Sequence, residues 1–174
     1  MRRNRSLGVL VLIGVALAHP AGARERAAAP AAPSTQEVEV VAVMHDARTQ
    51  QPVVVMEGKR DKRQLLMAIG PAEATSIAVP LQGVVPPRPL THDLFLTLFG
   101  QLQVTLTRVV ITDFREGIYY ASVQVQAGAQ PILLDARPSD AIALAIRAKV
   151  PVLVETRVFD KSEQSAPAPR RQQI

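Results

Sequence analysis

The stretch DARPSDAIALAIR, residues 135–147, decides the fold. Residues 132–135 read as a strand, and Arg137-Pro138 breaks it. Pro138 and Ser139 open a helix expected over residues 140–149, because proline suits a first turn where its missing N–H has no partner to lose. Positions 141–146 are apolar on every side of that helix. A helix apolar all round is buried on several sides, and its alanines let neighbouring strands approach closely. Residues 151–156, PVLVET, follow at once as a strand. A helix so placed needs a sheet to cover it.

Upstream, residues 104–114 and 118–126 alternate in polarity around Glu116-Gly117, the pattern of a long hairpin. Further back, residues 37–44, 52–56 and 63–69 read as three strands, the last two joined by a turn over 58–61. Gly70-Pro71 stops the third strand and starts a helix over 72–78, with Glu73 and Ile77 on one face. Pro80 is expected to kink or end that helix. A proline-rich loop spans 83–89. Thr91 reads as the N-cap of a second helix over 92–102, whose Leu94, Phe95, Leu98, Phe99 and Leu102 form one apolar face. The order βββ-αα-βββ-α-β predicts an α+β fold, a single compact domain with a mainly antiparallel sheet and about three helices.

Composition narrows the function classes. Hydrophobic residues make up 48% of the 174 positions but aromatics only 3%, so the core is built from Val, Ile, Leu and Ala. The absence of cysteine excludes disulfides, a thiol nucleophile, Cys-ligated zinc or iron–sulfur sites and a lipoprotein anchor. Arg2, Arg3 and Arg5, the uncharged run 7–18 and the small residues Ala21-Gly22-Ala23 read as a signal peptide over 1–23. The apolar run falls short of the roughly 20 residues that a spanning helix needs. Export to a periplasm or to the medium is expected, with no stable membrane span after cleavage. Residues 24–35 read as an Ala/Pro linker, 36–160 as the folded body and 161–174 as a disordered tail.

The formal net charge of +5 suggests a nucleic-acid binder, but its distribution does not. Of the 20 basic residues three lie in the signal, leaving 17 against 15 acidic ones; within 36–160 there are 12 basic and 13 acidic. No globally basic surface is available to steer phosphates. The run Lys59, Arg60, Lys62 and Arg63 reads as a solvated hairpin turn.

Two segments share a design: Arg88-Pro89-Leu90-Thr91-His92-Asp93 and Arg137-Pro138-Ser139-Asp140. One reading is structural. Thr91 and Ser139 cap helices, Asp93 and Asp140 complement the positive helix ends, and the arginines pair with those carboxylates. The other is chemical. Helix starts attract phosphate, Arg88 and Arg137 fork onto its oxygens with Ser139 beside them, and Glu73, His92, Asp93 and Asp140 supply acid–base groups. Asp93, Asp135 and Asp140 are the oxygen ligands that would suit a divalent cation such as Mg²⁺ or Mn²⁺. Both readings stay open on residue types alone.

Three ordered blocks add a resemblance: Ile69-Gly70-Pro71-Ala72-Glu73-Ala74, Arg88 to Leu94 (RPLTHDL), and residues 135–147 followed by Pro151 and Val152. Together these resemble the bifunctional nuclease domain family of bacteria and plants. The resemblance implies nuclease activity on DNA and RNA, a compact α/β unit, a wedge-shaped homodimer and a groove at its thick end. It brings forward Glu73, Arg88, His92, Asp93, Asp135, Arg137, Ser139 and Asp140 as candidates. The chain departs from the pattern in its signal peptide, in Pro80 and in its near-neutral body. The expectation is an exported nuclease that hydrolyses phosphodiester bonds with divalent-metal help. The competing expectations are a non-catalytic interaction domain that keeps the fold and, third, a small-anion binder.

Overall fold

The structure, a computed structural model, describes residues 34–165. Its elements run β1 (Thr35–His45), β2 (Pro52–Gly58), β3 (Gln64–Ala68), α1 (Pro71–Leu81), α2 (Thr91–Gln101), β4 (Val104–Arg115), β5 (Ile118–Ala127), β6 (Gln130–Ala136), α3 (Pro138–Ala148), β7 (Val152–Glu155) and α4 (Thr156–Ser165). All seven strands join one sheet in the order β3-β2-β1-β7-β4-β5-β6. The fold is α+β and mostly antiparallel, as the sequence predicts; the β4–β7 pair is parallel.

Two meanders make the halves of this sheet. β1, β2 and β3 pair antiparallel through tight turns, and so do β4, β5 and β6. Glu116 and Gly117, between β4 and β5, both take positive φ, as a two-residue type I′ hairpin requires. The short β7 then enters the gap, antiparallel to β1 and parallel to β4, and joins the halves. α3 delivers it there. Because α3 crosses from one meander to the seam, it meets β4, β5, α1 and α2. Its residues Ala141, Ile142, Ala143, Leu144 and Ala145 are all buried, as an all-round apolar helix demands. The core is aliphatic apart from Phe159, with Val54, Met56, Ile77, Val109, Ile111 and Val154 fully buried around it.

Four local readings are corrected. The first helix, expected to stop at residue 78, runs on to Leu81 with Pro80 inside its last turn. Proline removes the N–H that would bond the carbonyl four residues earlier, that of Ser76. Arg147 Nη1 donates to that carbonyl instead, at 2.7 Å. Thr91 is not the cap of α2; Leu90 is the N-cap residue, and its N–H donates to Asp93 Oδ2 at 2.8 Å. Ser139 is not the cap of α3 either: Arg137 takes the extended cap position, Pro138 the first helical one, and Ser139 is buried behind them. Finally, residues 161–165, expected within a disordered tail, belong to α4.

α4 escapes sequence reading because only Val158 and Phe159 in it are apolar, too few to show a period. Both are fully buried. Arg63 lies over the Phe159 ring at 4.8 Å and bonds Asp160 at 2.7 Å, while Lys161 bonds Asp113 at 2.6 Å. Tertiary docking decides this helix. α2 shows the converse: its apolar period is clear, yet none of its residues is buried. Among the described residues no helix is long and apolar enough to cross a membrane.

Candidate functional site

The start of α3 is the centre of the site. Arg137 leaves β6 in an extended conformation and Pro138 commits the next residue to helix, which sets Asp140 in the first turn. Arg137 then forks back onto Asp140, Nε to Oδ2 at 2.8 Å and Nη2 to Oδ1 at 3.2 Å. Its Nη1 donates to Glu73 Oε1 of α1 at 2.9 Å. Glu73 is placed by the preceding Gly70, where a Cβ would collide with the Glu73 carboxylate. Here glycine serves a close approach, since its φ of −76° is open to any residue.

From α2, His92 Nε2 lies 3.1 Å from Asp140 Oδ1. Burial alone would raise the Asp140 carboxyl, but hydrogen bonds from Arg137 and His92 outweigh it and hold it below its ordinary value. An ionised carboxylate only accepts, so Nε2 carries the proton and donates. The other ring nitrogen, Nδ1, is buried without a hydrogen-bond partner. The imidazole is thus oriented through Nε2, while Nδ1 is closed off from solvent.

Two concavities meet at Arg137. One, of about 510 Å³, has Phe95, Phe99, Val123, Leu134 and Leu144 as its apolar wall, with His92, Asp135, Arg137 and Asp140 among its lining. The other, of about 440 Å³, is lined by residues that include Glu73, Tyr119, Arg137 and Ser139. Arg137 is 65% exposed. Guanidinium has five N–H donors, and the bonds to Asp140 and Glu73 use three, so two remain for a ligand.

The structure thus gathers Glu73, His92, Arg137 and Asp140. Ser139 and Asp135 lie on the walls, and Asp135 has no ion pair among the described residues. Asp93 turns away from the group and bonds Arg147 Nε at 2.7 Å. Arg88 is exposed in the loop before α2, lines neither concavity and has no ion pair among the described residues. The pairing expected between Arg88 and Asp93 is therefore made by Arg147. The signal for this pairing in the sequence is a single arginine, Arg147, closing a largely apolar helix.

Among the described residues, no three histidine, aspartate or glutamate side chains converge as metal ligands. Of the three expected carboxylates, Asp93 and Asp140 are already bonded to arginines. The donor set does not fit a resident cation as it stands, and no chemical step is routed through one.

A family model, the bifunctional nuclease domain, matches residues 54–167, about two thirds of the chain and all of the gathered residues. The chain belongs to the bifunctional nuclease domain family. Two relatives from Mycobacterium tuberculosis are similar to it: the uncharacterized protein MT1877 of strain CDC 1551/Oshkosh and the uncharacterized protein Rv1829 of strain H37Rv. Each is 42% identical over 123 residues, covering 71% of this chain and 73% of the relative. In this bifunctional nuclease domain the match begins within β2, so β1 lies before it, whereas α4 lies inside it.

Proposed function

We propose that this protein is an exported nuclease that hydrolyses phosphodiester bonds in DNA or RNA, with His92 as its proton carrier. The observation that carries the reading is the His92–Asp140 contact, made beside an open cavity by two separate segments of a bifunctional nuclease domain. Asp140 orients the imidazole and fixes its tautomer. As a water oxygen attacks phosphorus, the proton it loses passes to the His92–Asp140 pair that lines the cavity, and the pair returns a proton to the leaving oxygen as the ester P–O bond breaks. The two spare donors of Arg137 face the phosphate oxygens. Such acid–base catalysis contributes about 10²–10⁴-fold.

Charge favours a second reading. Glu73 and Asp140 together exceed the single charge of Arg137, and a net negative group repels a polyanion. α2 and β6 also leave an apolar surface open, with Leu94 64% and Leu133 66% exposed. Those features suit a non-catalytic domain that binds a protein partner. In either reading the same surface supports a homodimer.

The deciding assay takes the chain secreted by its own signal, with single- and double-stranded DNA and RNA, in Mg²⁺, Mn²⁺ or EDTA, beside Asp140→Asn. Cleavage that falls about 100-fold or more in a cooperatively folded variant supports the nuclease reading. A folded wild type that cleaves none of the four substrates in any buffer rejects it, and EDTA separates a metal-dependent reaction from one carried by side chains alone.

A further inference from the structure

We infer that Arg147 is a positioning residue for the His92–Asp140 pair: one buried guanidinium ties α1, α2 and α3 together and so sets where His92 stands. The inference rests on His92 being the functional imidazole, but its geometry can be tested without substrate.

Apolar packing holds α2 along a narrow seam only. None of its residues is buried, and Leu94, Phe95 and Leu98 of its apolar face remain exposed. Only Leu96 and Phe99 pack partly buried against the core, a narrow apolar seam, so polar contacts add to what fixes the register of this helix. The position of His92 needs another source of precision.

Arg147 supplies it. Its side chain is only 7% exposed. Nη1 donates to two carbonyls, Ser76 of α1 at 2.7 Å and Ala143 of its own helix at 2.9 Å. Nε donates to Asp93 of α2 at 2.7 Å. Asp93 in turn accepts the Leu90 N–H through its other oxygen, which fixes the first turn of α2. His92 is the neighbour of Asp93 in that turn. A planar guanidinium can hold such divergent partners at once because its donors are fixed in a fork.

Pro80 is part of the device. The Ser76 carbonyl would ordinarily accept the N–H of residue 80, and proline has none. The carbonyl is left needing a donor, and Arg147 is drawn to it. A proline inside α1 thereby anchors the guanidinium from one side while Asp93 is held on the other.

The test reads the ring N–H of His92 by proton–nitrogen NMR on the full chain, assigned by its disappearance in His92→Gln. In the wild type, the proton shared with Asp140 should give a distinct, slowly exchanging resonance. Arg147→Met should lose that resonance or speed its exchange by about tenfold or more, because the pair opens more often. Pro80→Ala should keep it. Pro80→Ala with Arg147→Met returns a backbone N–H to Ser76, so the unfolding temperature should recover toward the wild type while the resonance stays lost. An unchanged resonance in Arg147→Met, or its return in the double variant along with stability, overturns the inference and leaves Arg147 a support of the fold alone. Should neither Met variant fold, Arg147→Lys keeps the charge without the fork. Tenfold faster exchange is again the expected result, and no change is the refutation. If the chain proves to be a nuclease, Arg147→Met should lower turnover about 100-fold with little change in KM, as misplacement of an acid–base group does. If it proves inactive, the NMR result still stands on its own.

Discussion

At the residue scale, the contacts of single side chains give predictions that separate chemistry from support. His92→Gln removes the imidazole but leaves Arg137 bonded to Asp140 and Glu73. It should lower any nuclease activity about 10²–10⁴-fold and leave cooperative thermal unfolding in place; retained activity would remove His92 from the mechanism. Gly70→Ala is a milder probe. The new methyl displaces the Glu73 carboxylate from its place against Arg137. Arg137 is largely exposed, so the lost ion pair should cost no more than about 1 kcal/mol, measurable by denaturant titration. The aspartates titrate together with the fold. Asp93 is raised by burial, but the Leu90 N–H and Arg147 outweigh this and hold it below its ordinary value; Asp140 is also held low. Folded values below the unfolded value of about 3.9 mean that their stabilisation is complete above roughly pH 5 and fades as pH falls through the folded values. Thermal unfolding followed from pH 6 to pH 3 should show this loss, and Asp140→Asn should reduce it. The reverse trend would contradict the sign.

At the element scale, α2 and α4 show why pattern and burial part company. The period of α2 is strong, yet its apolar face is mostly solvent-facing. α4 has almost no period, yet Phe159 is the largest fully buried side chain of the described residues. Phe159→Ala should therefore cost about 3–5 kcal/mol, read as a fall in denaturant midpoint, whereas Leu98→Ala on α2 should cost far less because Leu98 is half exposed. Equal effects would show that α4 is an appendage. The strands themselves were legible to within one or two residues at most ends, because Val-rich alternation and turn residues mark them directly. The caps were not. Thr91 and Ser139 are good cap residues by type, but the Leu90 N–H bonded to Asp93 and the extended Arg137 before Pro138 set the starts of α2 and α3 one and two residues earlier.

At the scale of the whole molecule, the open edge of the sheet is the notable surface. β6 carries Ile132, Leu133 and Leu134 exposed at the end of the strand order. Exposed apolar edge strands invite pairing with another chain. Sedimentation of the protein should therefore show a dimer, and Leu133→Lys, which places a charge on that strand, should shift it toward monomer. A wild type that sediments as a monomer at all concentrations would dissociate the edge from self-assembly.

Some of this was settled by the chain alone. The all-round apolar segment 141–146 required burial, the alternating segments required a sheet, and the two Arg-Pro segments marked helix starts, because each depends on neighbours within a few residues. Which charges meet could not be read that way. Glu73 and Arg137 stand 64 positions apart, and His92 and Asp140 stand 48 apart. Asp93 finds Arg147 rather than the nearby Arg88. Only the tertiary structure decides these pairs, because charged side chains carry no periodic signal of their partner. The buried α3, which packs on β4 and β5 and meets α1 and α2, brings them within reach.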